Sequence, residues 1–283
     1  MRLSRALLNG REVSLISDGK KYFAIDDRDY FNPEEAFKKG KPVEPVNAWT
    51  SLIPVPSVPS IRDFYTFEEH VRKARARRGL SVPSEWYEIP AYYYSCTSML
   101  FPSGEKVPHP DFTKELDYEM EVGIVIGKEG MNIRKENAFS HVLGLVLAND
   151  WSARDLQRKE MSVGLGPSKS KDFATSIGPY VVTLDEISDR ILPDGKIDLD
   201  VEAYVNGVKY SSGNLSDMRW SFQELVEYAS RSTILRKGDI LLSGTISSGC
   251  ILELGPENFG WLKRGDVVSL RGGVLGTLEN EVS

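Results

Sequence analysis

Apolar residues fall along this chain mostly in short runs bounded by Gly, Pro, Asn, Asp and Ser, a pattern that points to strands rather than to long helices. Residues 120–126 are largely apolar and β-branched, and 142–147 and 179–184 repeat the pattern, so strands are expected at all three. Further strands are expected at 240–242 and 267–270. Residues 197–205 alternate apolar and polar side chains, Asn206-Gly207 follows, and Val208-Lys209-Tyr210 returns, which predicts a two-residue hairpin turn. Near the start, 12–16 and 21–25 flank Ser17-Asp18-Gly19 and read as a small β unit. Pro54, Pro56 and Pro59 then remove backbone donors and favour an extended connector. A division into residues 1–60, a small N-terminal β domain with its connector, and 61–283, the main body, fits that punctuation.

Helices are few. Thr66 with Glu69, ahead of a run without Gly or Pro, reads as a capping box opening a helix over 67–78 that Gly79 ends. Ser221 with Glu224 repeats the signal before 222–231, and Ser152 with Asp155 at the third helical position opens a shorter helix. These helices do not alternate regularly with strands as a doubly wound sheet requires, so the fold class is α+β, mostly β.

A composition of 41% hydrophobic and 27% charged residues is that of a globular chain with a real core. The balance of 35 basic against 41 acidic residues, a net charge of −6, argues against a nucleic-acid partner, although the run from Arg72 to Arg78 is locally basic. That run is a solvated helix face, a clamp for a substrate carboxylate through Arg77 or Arg78, or a nucleic-acid surface, in falling order of expectation. Only Cys96 and Cys250 are present, without disulfide or zinc spacing, which suits a reducing interior. Polar residues interrupt the first apolar stretch within ten positions, so no secretory or membrane segment is expected there and a cytoplasmic location is.

Asp117, Glu119 and Glu121 alternate into the start of the apolar run at 120–126, and strand geometry would set all three on one face. Either that face is a wet edge, or the mutual repulsion of the acids is relieved by cations or a metal ion. Asn149-Asp150 ends the next strand, where a turn or a functional group would both fit. Carboxylates would suit a hard divalent cation, Mg²⁺, Mn²⁺ or Ca²⁺, since His and Cys are scarce. His70, on the capped helix, is either a surface residue or a neutral-pH base.

Five segments in order resemble the fumarylacetoacetate hydrolase family over about residues 63–265: Asp63-Phe64-Tyr65 with His70, residues 116–121 leading to Val125-Ile126-Gly127, residues 149–157, Gly166-Pro167 through Lys171, and residues 243–247. The resemblance implies a mixed β-roll, commonly a homodimer. It implies a divalent cation, Mg²⁺ first with Mn²⁺ or Ca²⁺ as alternatives, held by Asp63, Glu119, Glu121 and Asp150; Asp117 matches no ligand and is left as a supporting acid. It implies His70 as general base oriented by Glu253, the latter otherwise a core residue, and Arg154, Gln157, Lys171, Tyr65, Tyr93 and Thr245 as substrate or oxyanion contacts, Thr245 otherwise a plain strand residue. The expected reaction is metal-dependent hydrolysis of a C–C bond in a small carboxylated oxo acid of 1,3-diketo or acylpyruvate type. Decarboxylation, isomerisation, tautomerisation or dehydration of a 2-oxo acid on the same fold, or a noncatalytic metal-stabilised binding protein, are the rival expectations. The segment around 77–86 does not match the family's substrate-gripping part, and residues 1–60 carry no motif.

Overall fold

A computed structural model describes residues 1–43 and 49–283 of the chain, so five residues of the N-terminal span lie outside the described part. The fold is a mixed α+β roll dominated by one large sheet. The sheet runs Lys41–Val43, Tyr22–Ile25, Arg11–Ser17, Arg2–Leu8, Thr175–Thr183, Val142–Asp150, Met120–Ile126, Ile240–Leu242, Ile61–Phe64, Tyr92–Ser95. Neighbours along this path are antiparallel except Ile240–Leu242 with Ile61–Phe64. A second, four-stranded sheet is built from the hairpin Asp200–Val205 and Val208–Asn214 and from Val267–Arg271 and Thr277–Glu281.

The apolar run at 120–126 is explained by burial on both faces. Val122 and Ile124 join a core that includes Leu145, Leu147 and Val182 of the large sheet and Val201, Ala203, Val268 and Leu270 of the small one. Val125 points the other way, into a second core with Val146, Ile240, Leu3 and Ile16. A strand covered on both sides carries no polar alternation. The N-terminal strands belong to that second core and to the same ladder, since Arg2 and Leu3 pair with Val182 and Val181.

The hairpin turns at Asn206-Gly207, both with positive φ, as the dipeptide predicts. The box of Ser221 and Glu224 caps the helix Phe222–Ala229. The other two boxes do not form. Thr66 Oγ1 donates to the Ser243 carbonyl at 2.6 Å, Glu69 pairs with Arg72, and the helix, Glu68–Ala76, starts after Phe67 without a side-chain cap. Ser152 lies in a two-residue strand against Leu116–Asp117 and donates to the Asp150 carbonyl, and the helix begins at Arg154. In each case the hydroxyl is turned toward a distant or preceding carbonyl, and no amide of the first helical turn donates to it. No described helix is long and apolar enough to cross a membrane.

Close strand approach fixes the middle of the sheet at Gly144, where a Cβ would sit 2.1 Å from the Val182 carbonyl oxygen. Gly144→Ala is therefore expected to lower stability by at least about 1–3 kcal/mol, the range for overpacking, as a lower midpoint of urea unfolding. An unchanged midpoint would mean that the two strands are not held this tightly.

Candidate active site

Four acids arrive together because they lie at one end of the central strands. Glu119 and Glu121 stand at the start of Met120–Ile126, Asp150 at the end of its antiparallel neighbour, and Asp63 near the end of Ile61–Phe64, reached across Ile240–Leu242. All four are buried. An oxygen each from Asp63, Glu119 and Asp150 lie within 4.8 Å of one another. Lys171 Nζ bridges Glu119 and Asp150, the latter at 2.7 Å, and Arg154 Nη1 lies 2.8 Å from Glu119. Tyr93 donates its hydroxyl toward Asp63, at 2.7 Å, and toward Asp150. A phenol has one proton for two carboxylates, so one of these contacts lacks a hydrogen unless a carboxyl carries it.

The electrostatics divide the set. Burial alone would raise Glu119, but Lys171 and Arg154 outweigh it and hold it at about 2. Asp63 is pushed well above the usual carboxylate range by burial and by Asp150 and Glu119; Glu121 is pushed up likewise by burial and by Asp63, Glu119 and Asp150. Burial also raises Asp150, Lys171 compensating only in part. Glu121 Oε2 and Asp150 Oδ1 are buried and have no hydrogen-bond partner among the described residues. Two orphaned oxygens in an all-oxygen set fit a hard divalent cation of the Mg²⁺, Mn²⁺ or Ca²⁺ kind, which would answer the charge that Lys171 and Arg154 leave over.

A second group faces the same cavity. His70, on Glu68–Ala76, places Nδ1 2.6 Å from Glu253 Oε1, and the Ser248 amide donates to the other Glu253 oxygen at 3.0 Å. An ionised carboxylate can only accept, so Nδ1 carries the proton in this contact, and in the neutral imidazole Nε2 is then the nitrogen with the lone pair. His70 lines a cavity of about 620 Å³ together with Tyr65, Tyr93, Thr245, Asp63 and Glu121. Tyr65 meets the imidazole edge-on, with ring centroids 5.4 Å apart.

The remaining expected residues also converge. Arg154, Gln157 and Lys171 line the cavity, with Arg154 Nη1 donating to Gln157 at 3.0 Å, and Arg77 and Arg78 stand in its wall. Asp150 and Glu253 lie behind the lining, touching it through Lys171 and His70. Thr245 is only 3.5 Å from Glu121 and is a weak partner. Of the basic run, Arg72 and Lys73 pair with Glu69, and Arg77 approaches Glu257 at 3.4 Å.

Sequence reasoning did not find the work of Asp117. The chain leaves regular strand between Asp117 and Met120, and Asp117 is buried on the short ladder with Ser152 rather than beside Glu119 and Glu121. One oxygen accepts from Ile251 N at 2.8 Å; the other accepts from Leu252 N at 3.0 Å and from Arg154 Nε at 2.8 Å. It thus ties the segment carrying Glu253 to the guanidinium that pairs with Glu119. No local signal marks this role, since its partners lie far along the chain.

The family model described as fumarylacetoacetate (FAA) hydrolase C-terminal matches residues 60–283. The chain is 39% identical over 174 residues to an oxaloacetate tautomerase of Bacillus subtilis, covering 62% of this chain and 54% of that protein. It is 32% identical over 205 residues to a mitochondrial oxaloacetate tautomerase of Xenopus laevis, covering 72% and 60%. It is 30% identical to a fumarylacetoacetase of Dictyostelium discoideum, covering 95% of this chain and 68% of that one. The chain thus spans little more than half of the first of these relatives. Among solved structures, a fumarylacetoacetate hydrolase of Exiguobacterium antarcticum superposes with a TM-score of 0.79 over all of this chain and 99% of its own, at 22% identity, a likeness of fold.

Raised and lowered acids set opposite pH trends in the ion-free protein. A folded carboxyl with a raised pKa keeps its proton where the unfolded chain has lost it, so Asp63 and Glu121 make stability fall as pH rises above the ordinary carboxylate range. Glu119 acts the other way: its contribution is present above the unfolded value and lost as pH falls toward about 2. In chelator, the thermal midpoint of the native chain is expected to fall from pH 5 to pH 8 more steeply than that of Glu121→Gln, about as these shifts dictate. Equal slopes would contradict the assignment of Glu121 as an uncompensated buried acid.

Proposed function

This chain belongs to the fumarylacetoacetate hydrolase family, and we propose that it hydrolyses a carbon–carbon bond in a small carboxylated oxo acid of the 1,3-diketo or acylpyruvate type. The observation that carries this reading is the 2.6 Å pair of His70 and Glu253, which in the neutral imidazole leaves an accepting nitrogen beside a cavity lined by Asp63, Glu119, Glu121, Lys171 and Arg154, with Asp150 behind Lys171. A divalent cation held by Asp63, Glu119, Glu121 and Asp150, Mg²⁺ foremost with Mn²⁺ or Ca²⁺ as substitutes, would supply Lewis acidity to paired substrate oxygens.

The protein's own groups account for the proton traffic. His70 Nε2 takes a proton from water as its oxygen attacks the carbonyl, and Glu253 stabilises the imidazolium through Nδ1. Lys171 uses two of its three donors on Glu119 and Asp150 and keeps one, while Arg154 Nη2 lies 2.8 Å from Asp117 but makes no hydrogen bond among the described residues. The spare Lys171 donor, with Gln157 and the Arg154 guanidinium through Nη1, would serve the oxygen on which charge develops. When the tetrahedral intermediate collapses, the carbon–carbon electron pair leaves as an enolate, and the proton held by His70 returns to it. Water and substrate thereby become a carboxylic acid and a shorter ketone. Arg77 and Arg78, in the cavity wall, suit a substrate carboxylate.

A second reading is keto–enol tautomerisation of oxaloacetate, favoured by the two tautomerases among the relatives. There His70 would move one proton between carbon and oxygen without breaking the skeleton. Following acylpyruvates and oxaloacetate by NMR separates the cases. Hydrolysis gives two shorter acids or ketones; tautomerisation speeds enol–keto exchange with no new carbon skeleton. His70→Ala is expected to slow turnover about 10²- to 10⁴-fold while divalent-cation binding persists. Full turnover in that variant, or none by the native chain on any of these acids, would contradict the enzymatic reading.

A further inference from the structure

Beside the proposed base lies a thiol that the reaction does not use. Cys250 Sγ is 3.7 Å from Glu253 Oε1, the same oxygen that His70 Nδ1 meets. A nitrogen, a sulfur and an oxygen from His70, Cys250 and Glu253 lie within 4.8 Å of one another, and all three residues are buried. Cys250 immediately precedes the helix Ile251–Leu254 that carries Glu253, and His70 reaches it from Glu68–Ala76. This donor set differs in kind from the acidic cluster. Thiolate, imidazole and carboxylate together select thiophilic borderline or soft divalent ions, whereas the all-oxygen cluster selects hard ones.

We infer that His70, Cys250 and Glu253 form an inhibitory site for a thiophilic divalent cation such as Zn²⁺ or Cd²⁺, separate from the acidic cluster. Such an ion reaches it through the cavity, which His70 and Leu252 line. Bonds of about 2.0 Å to nitrogen and oxygen in a tetrahedral shell set those two ligands roughly 3.3 Å apart, so the 2.6 Å hydrogen bond opens by less than an ångström. Cys250 loses its thiol proton to solvent on binding. The ion replaces the proton at Nδ1, and the neutral imidazole then carries its proton on Nε2. That nitrogen no longer has a lone pair to accept a proton from water, and Glu253 no longer supports the imidazolium. The inhibitory consequence rests on His70 as the base; the site itself does not.

The full chain is titrated with Cd²⁺ in saturating Mg²⁺, following the ultraviolet thiolate-to-cadmium absorption. One equivalent per chain is expected, with turnover lost in parallel. Cys250→Ser and Cys250→Ala should lose the band and need at least about tenfold more Cd²⁺ for half inhibition, each rate being taken relative to that variant's own uninhibited rate; tenfold is a size reached even by partners outside a ligand shell. Cys96→Ser should behave as the native chain. A band that survives both Cys250 variants, disappears in Cys96→Ser or is displaced by Mg²⁺ overturns the site. A band with turnover unaffected keeps the metal site but overturns its inhibitory role and counts against His70 as base; no band in a chain that turns over removes the site and leaves the proposed function standing.

Discussion

Five carboxylates buried within reach of two cations is the constraint around which this site is organised. Lys171 pairs with Glu119 and Asp150, and Arg154 with Glu119 and Asp117. Burial still leaves Asp63, Glu121, Asp150 and, despite Arg154, Asp117 with raised pKa values, and Glu121 and Asp150 with orphaned oxygens. Buried charge of this kind is costly unless it is paired, protonated or given to a metal ion. The surrounding architecture maintains it. The strands that present the acids are covered by apolar side chains on both faces, so the acidic ends cannot relax into solvent without disturbing two cores.

The site has two halves with different chemistry. One is the acidic cluster with its lysine and arginine; the other is the imidazole–carboxylate pair. Asp117 joins them, because its two oxygens hold the backbone ahead of Glu253 and the guanidinium beside Glu119. A single buried carboxylate thereby ties the segment that carries Glu253 to the guanidinium beside Glu119. In the proposed reaction the spacing of the two halves would govern the rate, since a shift of about 1 Å can cost two orders of magnitude.

Much of the sheet was legible because burial on both faces leaves an unmistakable apolar run, as at 120–126, and because Asn206-Gly207 has few alternatives to a tight turn. The box at Ser221 was legible for the same local reason. Thr66 and Ser152 look alike in sequence, yet the Thr66 hydroxyl bonds to Ser243, far along the chain, and Ser152 is drawn into a short strand against Leu116–Asp117, pairings that no local window can weigh. The pairing of the N-terminal strand with Val181 and Val182 is equally non-local. Simple alternation placed Asp117 with Glu119 and Glu121; the break in strand before Met120 sends it elsewhere. Of the twelve residues named from the family likeness ten line one cavity, with Asp150 and Glu253 behind it, but their distances, and the thiol beside His70, could come only from the folded chain.

The most direct test of the acidic cluster is calorimetric titration of the full chain with Mg²⁺ and Mn²⁺ across a pH series. The account predicts one ion per chain, with affinity rising as pH rises, because protons on Asp63 and Glu121 must leave for the ion to enter. Absence of saturable binding, or an affinity indifferent to both pH and Glu121→Gln, would contradict it.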